Sequence, residues 1–428
     1  MGRLPGRRLP AVIIRDMSSV TATAPAVPMS FRDVLRIDVM RRVWYAQLVS
    51  LFGDFLALFA VIAVVSFAMR GTPRQIVGVQ IAYMLPIVFI GPIAGVFVDR
   101  WPVKPTLIAS DVLRALIALL LIPAVSVWHV YVVLAALSCV SAFFGPAQQV
   151  TIRTHVPTHG LIAANALMQM AFMGSRIVGP SAAGAIVLAF GPKICYGIDV
   201  LSFVVSAALI ASVAINRASP PKGQASSANR LHQIWLDLRQ GLTFIVHHAA
   251  VVFVVLAMAA GLFTVGCFGP LVAIHVRDTL RGSEALFGIV SGTVGFGMLA
   301  GTQVMRRLTQ KFADDVVVLS GLAGIGVGAL VLGMLPYATA AVAAMGIIGV
   351  SFSAIMVPAQ TLLQRETPRE MIARVSSTNL SVAFLAQILG LVLSGYLADA
   401  LGVRMVFILC AGLALALAAG GRAFLRRK

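Results

Sequence analysis

The sequence predicts an all-α membrane protein of about twelve transmembrane helices. They are arranged as two six-helix bundles in parallel repeat, with both termini cytoplasmic. Three observations carry this. First, the 428 residues are 59% hydrophobic and only 11% charged, with a mean hydropathy of +0.96. Soluble domains carry about twice that charged fraction, so lipid must be the solvent for most of the surface. Second, the apolar residues come in long continuous runs rather than short alternating ones. Lipid satisfies no backbone N–H or C=O, so such runs are helices, not barrel strands. Third, the second half of the chain echoes the first at a nearly constant distance.

Taken from the start, residues 1–42 read as a basic cytoplasmic tail ending in an amphipathic helix. Residues 1–30 hold four arginines and several prolines but no apolar core long enough for a signal peptide; Met17 and Met29 are alternative starts. Residues 31–42 alternate charged and apolar side chains at helical spacing, which predicts a helix on the inner leaflet. Apolar runs near 43–69, 76–98, 105–124, 130–152, 161–190 and 194–215 make an N-terminal bundle over 43–215. A helical run of about 20 residues spans ~30 Å, the thickness of the hydrocarbon core. Residues 216–248 form a cytoplasmic linker. Its first part is rich in Pro, Gly and Ser; then Leu231, Ile234, Trp235, Leu238, Leu242 and Ile245 mark an amphipathic surface helix. Runs near 249–273, 285–305, 316–335, 338–361, 375–398 and 402–424 make the C-terminal bundle over 249–424, and 425–428 is a short basic tail.

The charges orient this arrangement. Of 33 Lys and Arg residues, only Arg70, Arg74, Lys193, Arg277, Arg281 and Arg404 fall in the loops opposite the termini, while Arg114 and Arg176 lie inside runs. The rest sit with the termini, which by the positive-inside rule places both termini in the cytoplasm. The net charge of +18 then faces lipid head groups, and no nucleic-acid partner is expected. The repeat is legible in single residues. Gly179, Gly184, Gly191 and Lys193 recur 211 positions later as Gly390, Gly395, Gly402 and Arg404. Pro146-Ala147-Gln148 returns as Pro358-Ala359-Gln360, Asn165 as Asn379, and Gly91, Gly95 and Arg100 as Gly297, Gly301 and Arg306. Two like-oriented halves are related by an axis along the membrane normal.

Several chemistries are excluded. Cys139, Cys195, Cys267 and Cys410 are scattered through apolar runs without paired spacing. Pro157 breaks the helical register between His155 and His159, and His247-His248 reads as a polar helix edge. No metal is expected. Neither a phosphate-binding Gly-rich loop nor a selectivity-filter loop is visible, so an enzyme, an ATP-driven pump and a channel are disfavoured. No cofactor is expected beyond a proton gradient.

One stretch carries a finer signal. Gly95-x-x-x-Asp99-Arg100, with Lys104 at its basic end, joins the second and third runs. With it go Leu51-Phe52-Gly53-Asp54, Asp111-Val112-Leu113-Arg114-Ala115, Phe144-Gly145-Pro146-Ala147, Val178-Gly179-Pro180 with Gly184, Leu238-Arg239-Gln240-Gly241-Leu242, and Pro358 to Gln364 followed by Thr367-Pro368 and Arg374-Val375. On these residues the chain, over roughly 31–424, resembles the major facilitator superfamily of secondary transporters. Within it, the chain is most similar to the branch of enterobactin exporters and macrolide-efflux proteins. Two departures stand out. Pro102 and Val103 replace the usual Gly and basic residue. The fourth run lacks the arginine of many proton-coupled exporters, Arg153 lying at its end.

The resemblance implies a monomeric, multi-pass transporter of the bacterial inner membrane that exports a small amphipathic molecule by proton antiport. An importer or a lysophospholipid flippase on the same fold is the alternative. Intramembrane charges are costly and functional by default. Asp54, near the midplane, is therefore the leading proton or substrate site. Arg176 is its partner, an anion contact or part of a structural pair. Asp111 and Arg114 share a helix face and are expected to pair near the cytoplasmic gate. Asp199 reads as interfacial and inert. Asp99 and Arg100 are expected to latch against Arg374 or the eleventh helix's N-terminus, with Gly95 and Lys104 completing the gate. Gly179, Pro180 and Gly184 are expected to permit close helix approach, as is Gly95 in its own span. Gln80, Gln169 and Gln387 are polar positions open to a substrate.

Overall fold

The computed structural model describes residues 29–98, 100–215, 236, 239–368 and 371–425. The tail before residue 29, most of the linker and Asp99 lie outside the described residues. A short helix, α1 (Phe31–Arg36), is followed by α2 (Asp38–Ala63), α3 (Pro73–Val98), α4 (Val103–Leu119), α5 (Val127–His155), α6 (Leu161–Phe190) and α7 (Pro192–Ala211). The second half comprises α8 (Ala249–Ile274), α9 (Glu284–Leu308), α10 (Asp314–Met334), α11 (Ala338–Glu366), α12 (Ile372–Leu401) and α13 (Val403–Leu425). Among the described residues, eleven segments are long and apolar enough to cross a membrane. The twelfth long helix, α4, falls short because it has 17 residues and carries Lys104, Asp111 and Arg114.

The helix predicted over 31–42 is divided at Ile37, whose extended backbone (φ −72°, ψ 112°) ends α1. A reciprocal cap starts α1: Ser30 accepts from the Asp33 N–H, and Asp33 accepts from Ser30. The Ser30 hydroxyl, and then its backbone N–H, hold the Asp33 carboxyl below its ordinary range. Residues 38–42 belong to α2, where Asp38 pairs with Arg42 at 3.2 Å and with Arg41. Val34 of α1 and Met40 of α2 pack with Ile152, Val156, Ala163, Ala164 and Leu167.

Pairing within the halves follows one scheme. In the first, α2 packs on α6, α3 on α5, and α4 on α5 and α7; in the second, α8 packs on α12, α9 on α11, and α10 on α11 and α13. The scheme extends to backbone detail. Helix α2 continues into a π-helical turn at Val64–Ala68, and α8 into one at His275–Thr279. Each turn is closed by Arg-Gly. Arg70 (φ 53°) and Arg281 (φ 50°) both occupy the left-handed region, which costs an L-residue about 1–2 kcal/mol. The following glycines donate to equivalent carbonyls, Gly71 to Val65 and Gly282 to Val276, both at 2.8 Å. Gly191 (φ 81°) and Gly402 (φ 84°) each end one helix and begin the next, a conformation for which glycine is the default residue.

The two halves meet at the end opposite the chain termini. There α6 lies against α9 so closely that a Cβ on Gly184 would come 2.6 Å from the Gly288 Cα. The repeat-related contact, Val77 of α3 on Gly395 of α12, puts a Cβ on Gly395 at 3.2 Å from the Val77 Cβ. Phe59 and Phe287 stack across the halves at 4.2 Å. Arg277 donates to the carbonyls of Ser66 and Gly71, and Arg74 pairs with Asp399 at 2.6 Å. Among the described residues these contacts all fall in the far half of the helices, which joins the bundles there and leaves them apart toward the termini. Replacing Gly184 with leucine is therefore expected to hold this end open. Faster alkylation of a cysteine placed at position 396 would show it; an unchanged rate would show that α6 and α9 tolerate the bulk.

Candidate functional site

Helix α4 brings Asp111 and Arg114 to one face, a turn apart, and buries both, at 0% and 4% exposure. Arg114 donates to the Asp111 Oδ1, so the pair expected from spacing is present. Its other terminal nitrogen, Nη1, lies 3.8 Å from Oδ2 of Asp54 on α2. The guanidinium carbon lies over the rings of Phe144 and Phe203, 4.5 Å from each centroid. On its other oxygen Asp111 accepts from the Ser206 hydroxyl of α7 at 2.6 Å. Four helices thus fix one cation inside the N-terminal bundle. Ser206→Ala removes a hydrogen bond to a charged group and is expected to cost about 1.5–3 kcal/mol, readable as a lower Tm of the purified protein.

Asp199 corrects the reading of an interfacial residue. It is 1% exposed and lies seven residues inside α7, about 10 Å along the axis. It packs on α2 at Gly53, where an added Cβ would stand 2.8 Å from its Oδ1. Its Oδ1 has no hydrogen-bond partner among the described residues. Arg114 thus pairs with two carboxyl groups, and a third, Asp199, is buried beside the helix that carries Asp54.

The structure pairs Asp54 with Arg114 and not with Arg176. Arg176 stands midway along α6, partly exposed, and forms no ion pair or hydrogen bond with a described residue. Gly179 packs on Phe55 as expected, a Cβ there meeting the Phe55 Cβ at 2.8 Å, and Gly184 packs on Gly288. Pro180 lies inside α6 without ending it. Gly91 and Gly95 depart from expectation, because no described neighbour lies within 4 Å of a Cβ added to either. Their half of α3 faces the region where the bundles part.

Of the expected gate, Asp99 lies outside the described residues, and Arg100 and Arg374 are both exposed. Lys104 donates to the Ala211 carbonyl at 2.8 Å, capping the end of α7. The contacts that hold the opposite end were not singled out in the sequence: Arg74–Asp399, with Arg74 also 4.7 Å from the Tyr396 ring centroid, and Arg277 on the carbonyls of Ser66 and Gly71. The repeated Arg-Gly at 70–71 and 281–282 was the available signal for that end.

Comparison with known proteins agrees with this architecture. The family described as "Transmembrane secretion effector" matches residues 30–427. The MFS-type transporter YfiS of Bacillus subtilis is 25% identical over 373 residues, covering 85% of this chain and 88% of the relative. Macrolide efflux protein A of Streptococcus pyogenes is 24% identical over 383 residues, covering 88% and 93%. Among solved structures, a bacterial homolog of the human lysosomal transporter Spinster, in an inward-facing and unoccupied conformation, superposes with a TM-score of 0.66 at 14% identity, covering 92% of this chain and 98% of that one.

Proposed function

The chain belongs to the transmembrane secretion effector family of major facilitator transporters, a multi-pass membrane protein and not an enzyme, and from that premise we propose that it is a proton-coupled exporter of small amphipathic molecules. The observation that carries this reading is a surplus of carboxyls over cations: Asp111 and Asp54 share the one guanidinium of Arg114, and the buried Asp199 packs at Gly53, next to Asp54. Excess negative charge in an apolar bundle is relieved by binding a proton, and groups of this kind mark proton relays. Asp54 is the member open to the cleft, its side chain 17% exposed against 0% for Asp111. It takes a proton when the cleft opens outside and releases it when the cleft opens toward the termini. Proton occupancy changes the grip of Asp54 on Arg114, and through α4 the packing of α2 on α7. The relatives' efflux names support the outward direction, and the charge bias of the loops supports a cytoplasmic cleft opening.

Proteoliposomes loaded with a fluorescent amphipathic dye test this. Efflux driven by an imposed proton gradient, and collapsed by an uncoupler, is expected. Dye movement indifferent to the uncoupler would reject proton coupling.

A further inference from the structure

Building on the reading of this protein as an exporter, we propose that Arg176 is the substrate's anion contact, and that the cargo is an amphipathic molecule bearing a carboxylate or phosphate group. The argument begins with the faces of α6. At 100° per residue, Ser175 and Gly179 turn toward α2, where Gly179 meets Phe55. Ile177, Ser181 and Gly184 turn toward α9, meeting Gly295, Gly292 and Gly288. Two arcs remain between those contacts. One is apolar and carries Val178, 48% exposed; it faces lipid. The other carries Asn165, Gln169 and Arg176, within about 40° of one another, with Asn165 and Gln169 exposed. A polar stripe between the two contact faces lines the cleft where the bundles part.

Arg176 is the deepest member of this stripe. Other arginines at or inside the spans are saturated: Arg114 by two aspartates and two rings, Arg74 by Asp399, Arg404 by the carbonyls of Gly333 and Met334. Arg176 has no such partner among the described residues, and Asp54, one candidate partner for it, is held by Arg114. A guanidinium kept at membrane depth without a counterion is costly, and its planar fork matches carboxylate and phosphate oxygens bidentately. One turn back, Phe172 lies edge-on to Phe55 at 5.5 Å, giving an apolar body a surface beside the charge.

The test uses the full-length protein in non-ionic detergent, without any gradient, so that its result is independent of proton coupling. Decyl phosphate and decyltrimethylammonium share one chain and differ in the sign of the head group. Decyl phosphate is expected to raise the wild-type Tm in a saturable way, and decyltrimethylammonium is not. Arg176→Gln is expected to weaken the decyl phosphate response about tenfold to a hundredfold, and Arg176→Lys to weaken it less. Equal responses to both amphiphiles, no response to decyl phosphate, or a response retained in Arg176→Gln would each overturn the proposal. So would a loss of probe-free Tm in Arg176→Gln that Asp54→Asn restores, because that pattern marks an internal ion pair.

Discussion

Arg114→Met is expected to cost about 3–5 kcal/mol, enough to remove most of the folded protein from the membrane. The cost comes from what is left behind rather than from the lost bond. Asp111, at 0% exposure, would keep Ser206 but lose its counterion, and Asp54 would lose the guanidinium it pairs with. Truncating one side of a buried pair leaves an uncompensated charge, and that penalty exceeds the net worth of the pair itself. Asp54→Asn is the informative contrast. It removes one carboxyl from a cluster that has a surplus, leaves the Arg114–Asp111 bond in place, and fits the same volume. Expression and Tm are therefore expected to stay near wild type, while gradient-driven efflux falls about a hundredfold or more, the usual range for losing a proton-transfer group. Size-exclusion profiles and the proteoliposome assay read the two effects separately. Wild-type transport by Asp54→Asn would remove Asp54 from the coupling mechanism, and a well-folded Arg114→Met would show that the carboxyls are stable without it.

How much of this site was legible in the sequence follows from the range of each interaction. Asp111 and Arg114 are three residues apart on one helix, so geometry along the chain alone predicted their pairing. The fold class, the repeat and the helix runs rest on composition and periodicity, which are also local. Asp199 was misread because its distance from a helix end says nothing about which neighbour covers it; Gly53, 146 positions earlier, is what buries it. Pairing with Asp54 was one of three roles open to Arg176, because both are charged and deep. Depth is only one coordinate, and the rotation of α4 brings Arg114 to Asp54 first. The glycines divide in the same way. Gly179 and Gly184 are pressed against Phe55 and Gly288, whereas Gly91 and Gly95 carry the same pattern into open space. Small-residue spacing marks helices able to approach one another, and the relative position of the two bundles decides which of them do so.

That relative position is also what the second large effect depends on. Val77 and Gly395 face each other across the joined end, with 3.2 Å between the Val77 Cβ and a Cβ placed on Gly395. Disulfides need Cβ atoms about 3.5–4.5 Å apart, so small adjustments of α3 and α12 suffice. A Val77→Cys/Gly395→Cys variant, made with Cys139, Cys195, Cys267 and Cys410 replaced, is expected to cross-link readily under mild oxidation. It should then lose essentially all transport and recover it on reduction. The reasoning is that alternating access requires the bundles to rock around a fixed site, and this end must open once per cycle. The non-covalent contacts there are weak enough to break. Arg74–Asp399 is a partly exposed pair, 57% and 22% accessible, of a kind worth about 0–1 kcal/mol, and the Phe59–Phe287 stack adds about 0.5–1.5 kcal/mol. A covalent bond across the same seam replaces a closure that thermal motion can undo with one it cannot. Full transport by the oxidised variant, with the cross-link verified by mass spectrometry, would mean that this end never opens and that the bundles move some other way.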